Sequence, residues 1–453
     1  MNKELWDKVL NFDLDHPPSE YGFSTRLARE NFWTKSFVEQ AILEYKKFMY
    51  LAATSELMVA PSKIIDVVWH QHLIFTQSYQ DFCNVIGKQI QHLPSTHNRE
   101  EIDKFKQAKE RTKKLYENTF GDQSRVIWEY PGMYESLHLD KARLKLRTFI
   151  IIGILAFLVL TIPFYFILEP VYLGIDNPYF IIGITGLTIS VFLALEIYNR
   201  NRFNRIIGEF DKGSFIYNLQ PMELVYLKTH KLSPVINGTV NELIEHSNIK
   251  VHQDNTIELV KRETSGSLEH LQTTDTLHEL GRTSYPTLLR RLSLKPIFRN
   301  TSNCMDAFQK YFLKSKKFGH LFYINFVALS ILLMICLVRL ITGTLRDLPV
   351  AQILFAFILL AVISMLFLYR LTNQVCTETI PGLYKKEILP TRQIDSNWQW
   401  NYFLLGTAAL SASFVPLVTY AEKSRYGDSS SGSSCGSSCG SSCSSCGGCG
   451  GGD

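Results

Sequence analysis

Four runs of about 20 residues with almost no charge constrain this chain more than any other feature. A helix of that length crosses the hydrocarbon core of a bilayer. The first run is TFIIIGILAFLVLTIPFYFIL (Thr148 to Leu168), with Pro163 as a candidate kink. The second is YFIIGITGLTISVFLALEI, joined to the first by EPVYLGIDNP. LFYINFVALSILLMICLV and PVAQILFAFILLAVISMLFLY form a third and a fourth. The spacing predicts two transmembrane hairpins, at 148–198 and 319–370. The first apolar run lies too far along the chain to be a secretory signal, and MNKELWDKVLNFDLDHPPSEYGF has no apolar h-region.

Charge orients the hairpins. KARLKLR precedes the first run, and Arg200, Arg202 and Arg205 follow the second, while Glu169 and Asp176 sit in the turn between them. Cations retained on the inner face place residues 1–142 and 199–318 in the cytoplasm. KSKK (Lys314 to Lys317) and Arg370 flank the second hairpin the same way, although Arg339, Arg346 and Asp347 in the expected loop weaken that evidence. Glu196, near the end of the second run, reads as a carboxylate reaching the interface.

The fold class expected is mainly α. Residues 1–142 read as a helical cytoplasmic domain, with apolar positions Phe37, Ala41, Tyr45, Phe48 and Leu51 at helical spacing and a helix start at Pro61 and Ser62. HNREEIDKFKQAKERTKKLYENTFG reads as a further helix, with Ile102, Phe105, Ala108 and Leu115 on its apolar side and a stop at Gly121. Within 199–318, LQPMELVYLKTH and LSPVINGTVNELIEHSN read as helices, and IKVHQ and TIELV as a hairpin turning at Asp254 and Asn255. That order suggests a small winged-helix-like α+β module. Its second helix would read DNA, yet it carries Glu242 and Glu245 and no Lys or Arg. Phosphate neutralisation dominates DNA affinity, and a net charge of +5 spread along the whole chain marks no nucleic-acid-binding domain. Residues 371–400 read as a linker, and 401–420 as either a fifth span or an interfacial or packed helix.

Residues 427–453 form a Ser-, Gly- and Cys-rich tail that cannot bury a core and is expected to be disordered. Cys435, Cys439, Cys443, Cys446 and Cys449 are candidate thiolate ligands or modification sites there. Cys83, Cys304, Cys336 and Cys376 are scattered, as thiols in a reducing compartment are.

DVVWHQHLIFTQSYQDFC (Asp66 to Cys83) is the densest cluster of chemistry-bearing residues. On one continuous helix, Asp66 and His70 share a face, one turn apart. His72 points away from His70 and joins Trp69, Thr76, Tyr79 and Cys83 on a second face. The two histidines therefore cannot chelate one ion, unlike the i,i+4 pair of HExxH. The metal set that helix geometry allows is Asp66 and His70 plus a donor from elsewhere, holding zinc or another transition metal; His92 is the nearest candidate, since the chain must turn after Gly87 and Pro94. A polar network that fixes helix packing is the competing account, with Trp69, Tyr79 and Phe82 in the core.

These segments, together with EYKKFMYLAA, GKQIQHLP, KFKQAKERTKKLYENTFG and IWEYP, resemble the N-terminal domain of bacterial glycine-rich domain-containing membrane proteins. A related WHxH segment occurs in plant glycine-rich domain proteins. The resemblance runs on through LQPMELVYL, LSPVINGTVNELIEHSNIKV and RLITGTLRDLPV to the low-complexity tail. It implies a multi-pass protein of the bacterial inner membrane and supplies no catalytic residue. Gln91-His92 stands where family members often carry two histidines, which weakens a site needing both. The tail carries more Ser and Cys than the family's Gly-dominated ones. The leading expectation is a non-enzymatic scaffold that docks other proteins beside the lipid bilayer. A metal-dependent enzyme or metal sensor using Asp66, His70 and His92 is the first alternative, and a membrane-tethered transcription regulator the second.

Overall fold

The computed structural model describes residues 2–92, 99–262, 266–391 and 398–427. The tail cysteines Cys435, Cys439, Cys443, Cys446 and Cys449 lie outside the described residues, as does the side chain of Ile102. The chain begins with α1 (Lys3–Asn11), α2 (Phe23–Asn31), α3 (Lys35–Thr54), α4 (Lys63–Ile74), α5 (Thr76–Ile86) and α6 (Arg99–Phe120), then the single turn α7 (Arg125–Trp128). Side-chain oxygens of Asn2, Thr34 and Ser62 accept the otherwise unpaired amides that open α1, α3 and α4. Helix α3 is central. Phe37, Ala41, Tyr45 and Phe48 face the main core, while Tyr50 and Leu51 pack with Tyr116 of α6.

Glu44 of α3 is buried and fully engaged. It accepts hydrogen bonds from the Tyr116 hydroxyl at 2.8 Å, the Trp128 indole at 2.7 Å and the Lys47 ammonium at 2.8 Å. One carboxylate thus joins α3, α6 and α7.

Two long apolar helices follow, α8 (Leu146–Leu173) and α9 (Asn177–Gly208). Helix α8 runs unbroken through Pro163 and Pro170. The next region holds α10 (Pro221–Thr229), α11 (Leu232–Glu245), β1 (Ile249–Val251), β2 (Thr256–Leu259), α12 (Leu268–Leu280), β3 (Thr283–Ser284), α13 (Tyr285–Leu292) and α14 (Pro296–Leu313). The hairpin pairs Ile249 with Leu259, and β3 adds to β2 by pairing Thr283 with Ile257. Seven consecutive residues of α11, Val235 to Asn241, are buried. A helix enclosed in this way has little surface with which to read a DNA groove.

Helices α15 (Lys316–Leu345) and α16 (Ala351–Gln374) complete a set of four that are long and apolar enough to cross a membrane. Helix α15 is the hub, packing against α8, α9 and α16. The outward residues of α8, among them Ile151, Leu155, Val159 and Phe166, are exposed, as lipid-facing side chains are. The entries of α8 and α15 are tied by backbone hydrogen bonds, Ala142 N to Lys314 O at 2.9 Å and Lys316 N to Asp140 O at 2.7 Å. The basic residues before both helices therefore gather at one end of the bundle.

Polar side chains fix this bundle where the sequence showed little buried charge. Asn199 of α9 and Asn325 of α15 exchange two hydrogen bonds at 2.8 and 2.7 Å. Arg339 is not in a loop. It lies buried within α15, donates to the carbonyls of Tyr172 and Ile175 at 2.6 Å each, and so caps the end of α8. Glu196 pairs with Arg370 through two 3.1 Å contacts, so this carboxylate has a fixed partner as well as access to the interface.

Gly153 of α8 sits against Phe326, where a β-carbon would come within 2.5 Å of the ring. Gly153→Leu is expected to lower thermal stability in detergent by several degrees. Gly183→Leu, built into open space, is the control. Equal behaviour of the two variants would show that this close approach does not matter.

Residues 371–391 are helical rather than a linker, and 401–420 follows the packed-helix alternative rather than a fifth span. After α16 the chain stays helical through Val375–Thr379, α17 (Ile380–Leu383), Tyr384–Ile388 and α18 (Leu389–Thr391), burying Cys376, Ile380 and Tyr384. Two of these stretches are π-helical. Residues 398–427 form α19 (Trp398–Leu405), a 3₁₀ turn (Gly406–Ala409) and α20 (Val415–Gly427). A non-helical segment at Leu410–Phe414 divides what would have been a span. Tyr402, Phe403, Phe414 and Leu417 enter the main core instead. That core is continuous from α2 and α3 through α10–α14 to α20, so the regions expected as separate soluble modules share one interior. Asn300 of α14 donating to the Thr25 carbonyl of α2 at 2.9 Å is one of the joints.

Candidate metal centre

Asp66 to Cys83 is two helices, not one. The backbone breaks at Phe75, which has ψ near 66°. Along a straight helix Trp69 and Tyr79 would be separated by about 15 Å. Here the Trp69 indole donates to the Tyr79 hydroxyl at 3.2 Å. The turn folds α5 back on α4 and closes an aromatic cage around His72, with Tyr79 and Phe82 rings 5.3 and 5.5 Å from the imidazole. Trp69, Tyr79 and Phe82 are buried as expected, Cys83 is buried with them, and Thr76 is exposed.

His72 is enclosed and hydrogen-bonded at both nitrogens, to the Tyr45 hydroxyl at 2.8 Å and the Ser78 hydroxyl at 3.2 Å. Burial pushes its pKa down to about 4, because the imidazolium would lose its hydration. In the unfolded chain the ring titrates near 6.5. Above that pH both states are neutral and the full stability is present. Below it the unfolded state takes up the proton first, so stability falls with pH until the folded ring titrates. The loss expected from pH 7 to pH 4 is about 3 kcal/mol. A thermal-unfolding series over that range, flattened in His72→Phe, is the expected result. An unchanged slope in the variant would assign the acid sensitivity elsewhere.

Asp66, His70 and His92 converge. Their nearest donor atoms all lie within 4.8 Å of one another. His92 Nε2 is 2.8 Å from Asp66 Oδ1, and His70 Nε2 is 3.7 Å from Asp66 Oδ2. The two imidazole rings meet edge to face at 4.4 Å. Helical spacing sets the first two donors one turn apart on α4. The third arrives from the segment after α5, which turns at Gly87 in the left-handed region (φ 72°). The Tyr79 hydroxyl, itself bonded to Trp69, donates to the Ile90 carbonyl and so anchors the segment that carries His92. The Trp69 ring, 4.7 Å from the His92 ring, forms its floor. Lys88 fastens the same segment to the end of α3 through the Ala52 and Ser55 carbonyls at 3.0 and 2.9 Å.

The cluster opens to solvent, with His70 59% and Asp66 41% exposed and His92 15%. It lies in a cleft of about 970 Å³. Lys63, Lys106 and Lys109 also line that cleft. Two imidazoles and one carboxylate on one side of an ion leave coordination positions free toward the cleft. The sequence reading missed the supporting roles of Tyr79, Ile90 and Lys88. Gly87 and Pro94 were the local signals for the return of the chain.

Residues 25–120 match the family model described as UCP032817-like. That segment contains all three donors and the residues that support them. Glycine-rich domain-containing protein 2 of Arabidopsis thaliana is 29% identical over 117 residues, covering 24% of this chain and 14% of the plant protein. Glycine-rich domain-containing protein 1 of the same plant is 27% identical over 118 residues, covering 25% and 14%. The chain thus spans about one seventh of the length of these curated relatives. No solved structure matches the chain. Similarity to these glycine-rich domain proteins therefore covers about a quarter of this chain.

Proposed function

We propose that this chain is a membrane-anchored metal protein that holds one divalent transition-metal ion at Asp66, His70 and His92. The observation that carries the reading is the convergence of three donors from two elements at the mouth of a cleft. Tetrahedral ligands at zinc bonds of about 2.0 Å lie about 3.3 Å apart. With one ligand atom from each residue the three lie within 4.8 Å of one another, so small side-chain rotations would bring them to that spacing. Zinc fits this donor set best, and iron(II) is the next candidate. The ion would polarise a bound group or water at its open positions. The lysines of the cleft suit an anionic substrate or effector. This puts a metal-dependent enzyme or sensor ahead of the scaffold role that the sequence ranks first.

The reading includes a bacterial inner-membrane location with the soluble body in the cytoplasm. The basic residues gathered at one end of the four-helix bundle support it. Docking of other proteins remains part of the proposal, because regions that share one core beside a membrane anchor can present a partner surface. Transcription regulation loses support from the enclosure of α11.

Elemental analysis of the full-length protein, purified without chelator, tests the metal site. One equivalent of zinc or iron per chain is expected. Absence of metal from protein that also fails to take up Zn²⁺ or Fe²⁺ would leave the His92–Asp66 pair as a packing contact and end the proposal.

A further inference from the structure

Two short segments, 140–147 and 314–317, run side by side where α8 and α15 begin. Lys141 and Ser315 form an isolated antiparallel bridge. The Ala142 amide donates to the Lys314 carbonyl at 2.9 Å, and the Lys316 amide to the Asp140 carbonyl at 2.7 Å. A third tie comes from α15, where the Tyr323 hydroxyl donates to the Leu144 carbonyl at 2.7 Å and its ring stacks on Phe149 at 4.0 Å. The backbone of the first segment is therefore pinned along its length.

This pinned segment is KARLKLR, and its exposure alternates with its sequence. Lys141, Arg143, Lys145 and Arg147 are exposed, while Ala142, Leu144 and Leu146 are half-buried. Lys314 and Lys316 are exposed beside them. With Lys317, the two segments hold seven cations and one acid, Asp140. Glu209 holds Lys317 at 2.7 Å. The other six cations form no ion pair among the described residues. Other arginines of the apolar helices are engaged: Arg339 caps α8, and Arg370 lies between Glu196 and Glu378. Like charges gathered in this way repel. A backbone fixed at three points keeps them together, and what the arrangement lacks is an anion.

The neighbouring surface says which kind. Directly beyond Arg147, α8 exposes Ile151, Leu155 and Val159. A phosphate that carries acyl chains suits both the cations and this apolar face, whereas a soluble anion suits the cations alone. Basic pockets between spanning helices on the cytoplasmic side bind acidic headgroups in this manner.

We infer that the junction of α8 and α15 is a binding site for an anionic phospholipid. Lys141, Arg143, Lys145, Lys314 and Lys316 face its headgroup phosphate, and its chains lie along α8. Orientation of a span needs only an excess of cations on one side. A strip pinned before the lipid arrives goes further, because less ordering is lost on binding. The inference rests on the reading of α8 and α15 as membrane spans and is independent of the metal centre.

Full-length protein in dodecyl maltoside, stripped of lipid, is titrated with dioleoylphosphatidylglycerol or dioleoylphosphatidylcholine, and bound lipid is counted by native mass spectrometry. One phosphatidylglycerol per chain is expected at a concentration at least tenfold below that needed for phosphatidylcholine, each cation near an anionic lipid being worth about fivefold. A triple variant, Lys141→Gln with Arg143→Gln and Lys145→Gln, is expected to bring the two lipids to near parity. Lys250→Gln with Arg290→Gln and Arg291→Gln removes as many exposed cations from the soluble region and is expected to keep the wild-type preference. A hundredfold excess of glycerol 3-phosphate, the anion without its chains, is expected to displace nothing. Parity of the two lipids on the wild type would overturn the site while leaving the spans standing, whereas a chain soluble without detergent would remove the spans themselves. Preference retained by the first variant, equal loss in both variants, or displacement by glycerol 3-phosphate would each overturn the site as well. The wild-type comparison of headgroups requires no variant to fold.

Discussion

His92→Ala is expected to weaken zinc binding by more than roughly 100-fold, since removing a group that merely orients a metal ligand already costs about 10–100-fold. His92 is the donor that the fold, not the helix, delivers. Without it, Asp66 and His70 remain as an exposed pair on α4 whose nearest atoms are 3.7 Å apart. Such a pair lacks the third ligand that a stable site needs. His70→Ala is expected to behave similarly. His252→Ala is the matched control, because His252 also touches a carboxylate, Glu258 at 3.0 Å, but belongs to no three-donor cluster among the described residues. A competition titration with a chromophoric chelator reads all three. Retention of wild-type affinity by His92→Ala would show that the ion, if any, sits elsewhere.

Glu44→Ala is expected to destabilise the N-terminal helices by about 3–5 kcal/mol, the cost of removing one member of a buried charged network. The Lys47 ammonium, the Tyr116 hydroxyl and the Trp128 indole would lose a common acceptor at once. Burying unpaired donors is what makes the change severe. Glu44→Gln keeps an acceptor oxygen and should cost less. Hydrogen exchange is the suitable measurement, because the loss should appear first in α6 and the Arg125–Trp128 turn, which Glu44 ties to α3. Unchanged protection there in Glu44→Ala would mean that apolar packing alone holds α6. Zinc affinity in the same variant reports how far the metal cleft, lined partly by Phe105 and Lys109 of α6, depends on that joint.

Much of this organisation was legible from periodicity and charge. The four apolar runs are four long helices, and the alternating segments around Asp254 and Asn255 form the predicted hairpin. Asp66 and His70 share a helix face because their spacing is one turn. Residues 66–83 were harder, since nothing local marks the break at Phe75: its neighbours are all compatible with a helix. Tertiary contacts of Tyr79 and Phe82 with His72 and Trp69 override that propensity. Likewise the uncharged run 401–420 met the length criterion for a span, and its division at Leu410–Phe414 follows from packing against α10, α11 and α13. Arg339 looked like loop charge because a buried arginine needs acceptors that sequence does not display. Here they are the carbonyls at the end of α8.

The sequence by itself determined which segments could enter a bilayer and which donors stood one turn apart, because hydrophobic length and helical pitch are local properties. Whether His92 would return to Asp66 and His70 was decided by the tertiary structure. Its position depends on the break at Phe75, the turn at Gly87 and the hydrogen bond from Tyr79 to the Ile90 carbonyl. The fusion of the soluble regions into one core was decided there too, since apolar faces record that they must be buried but not against which partner.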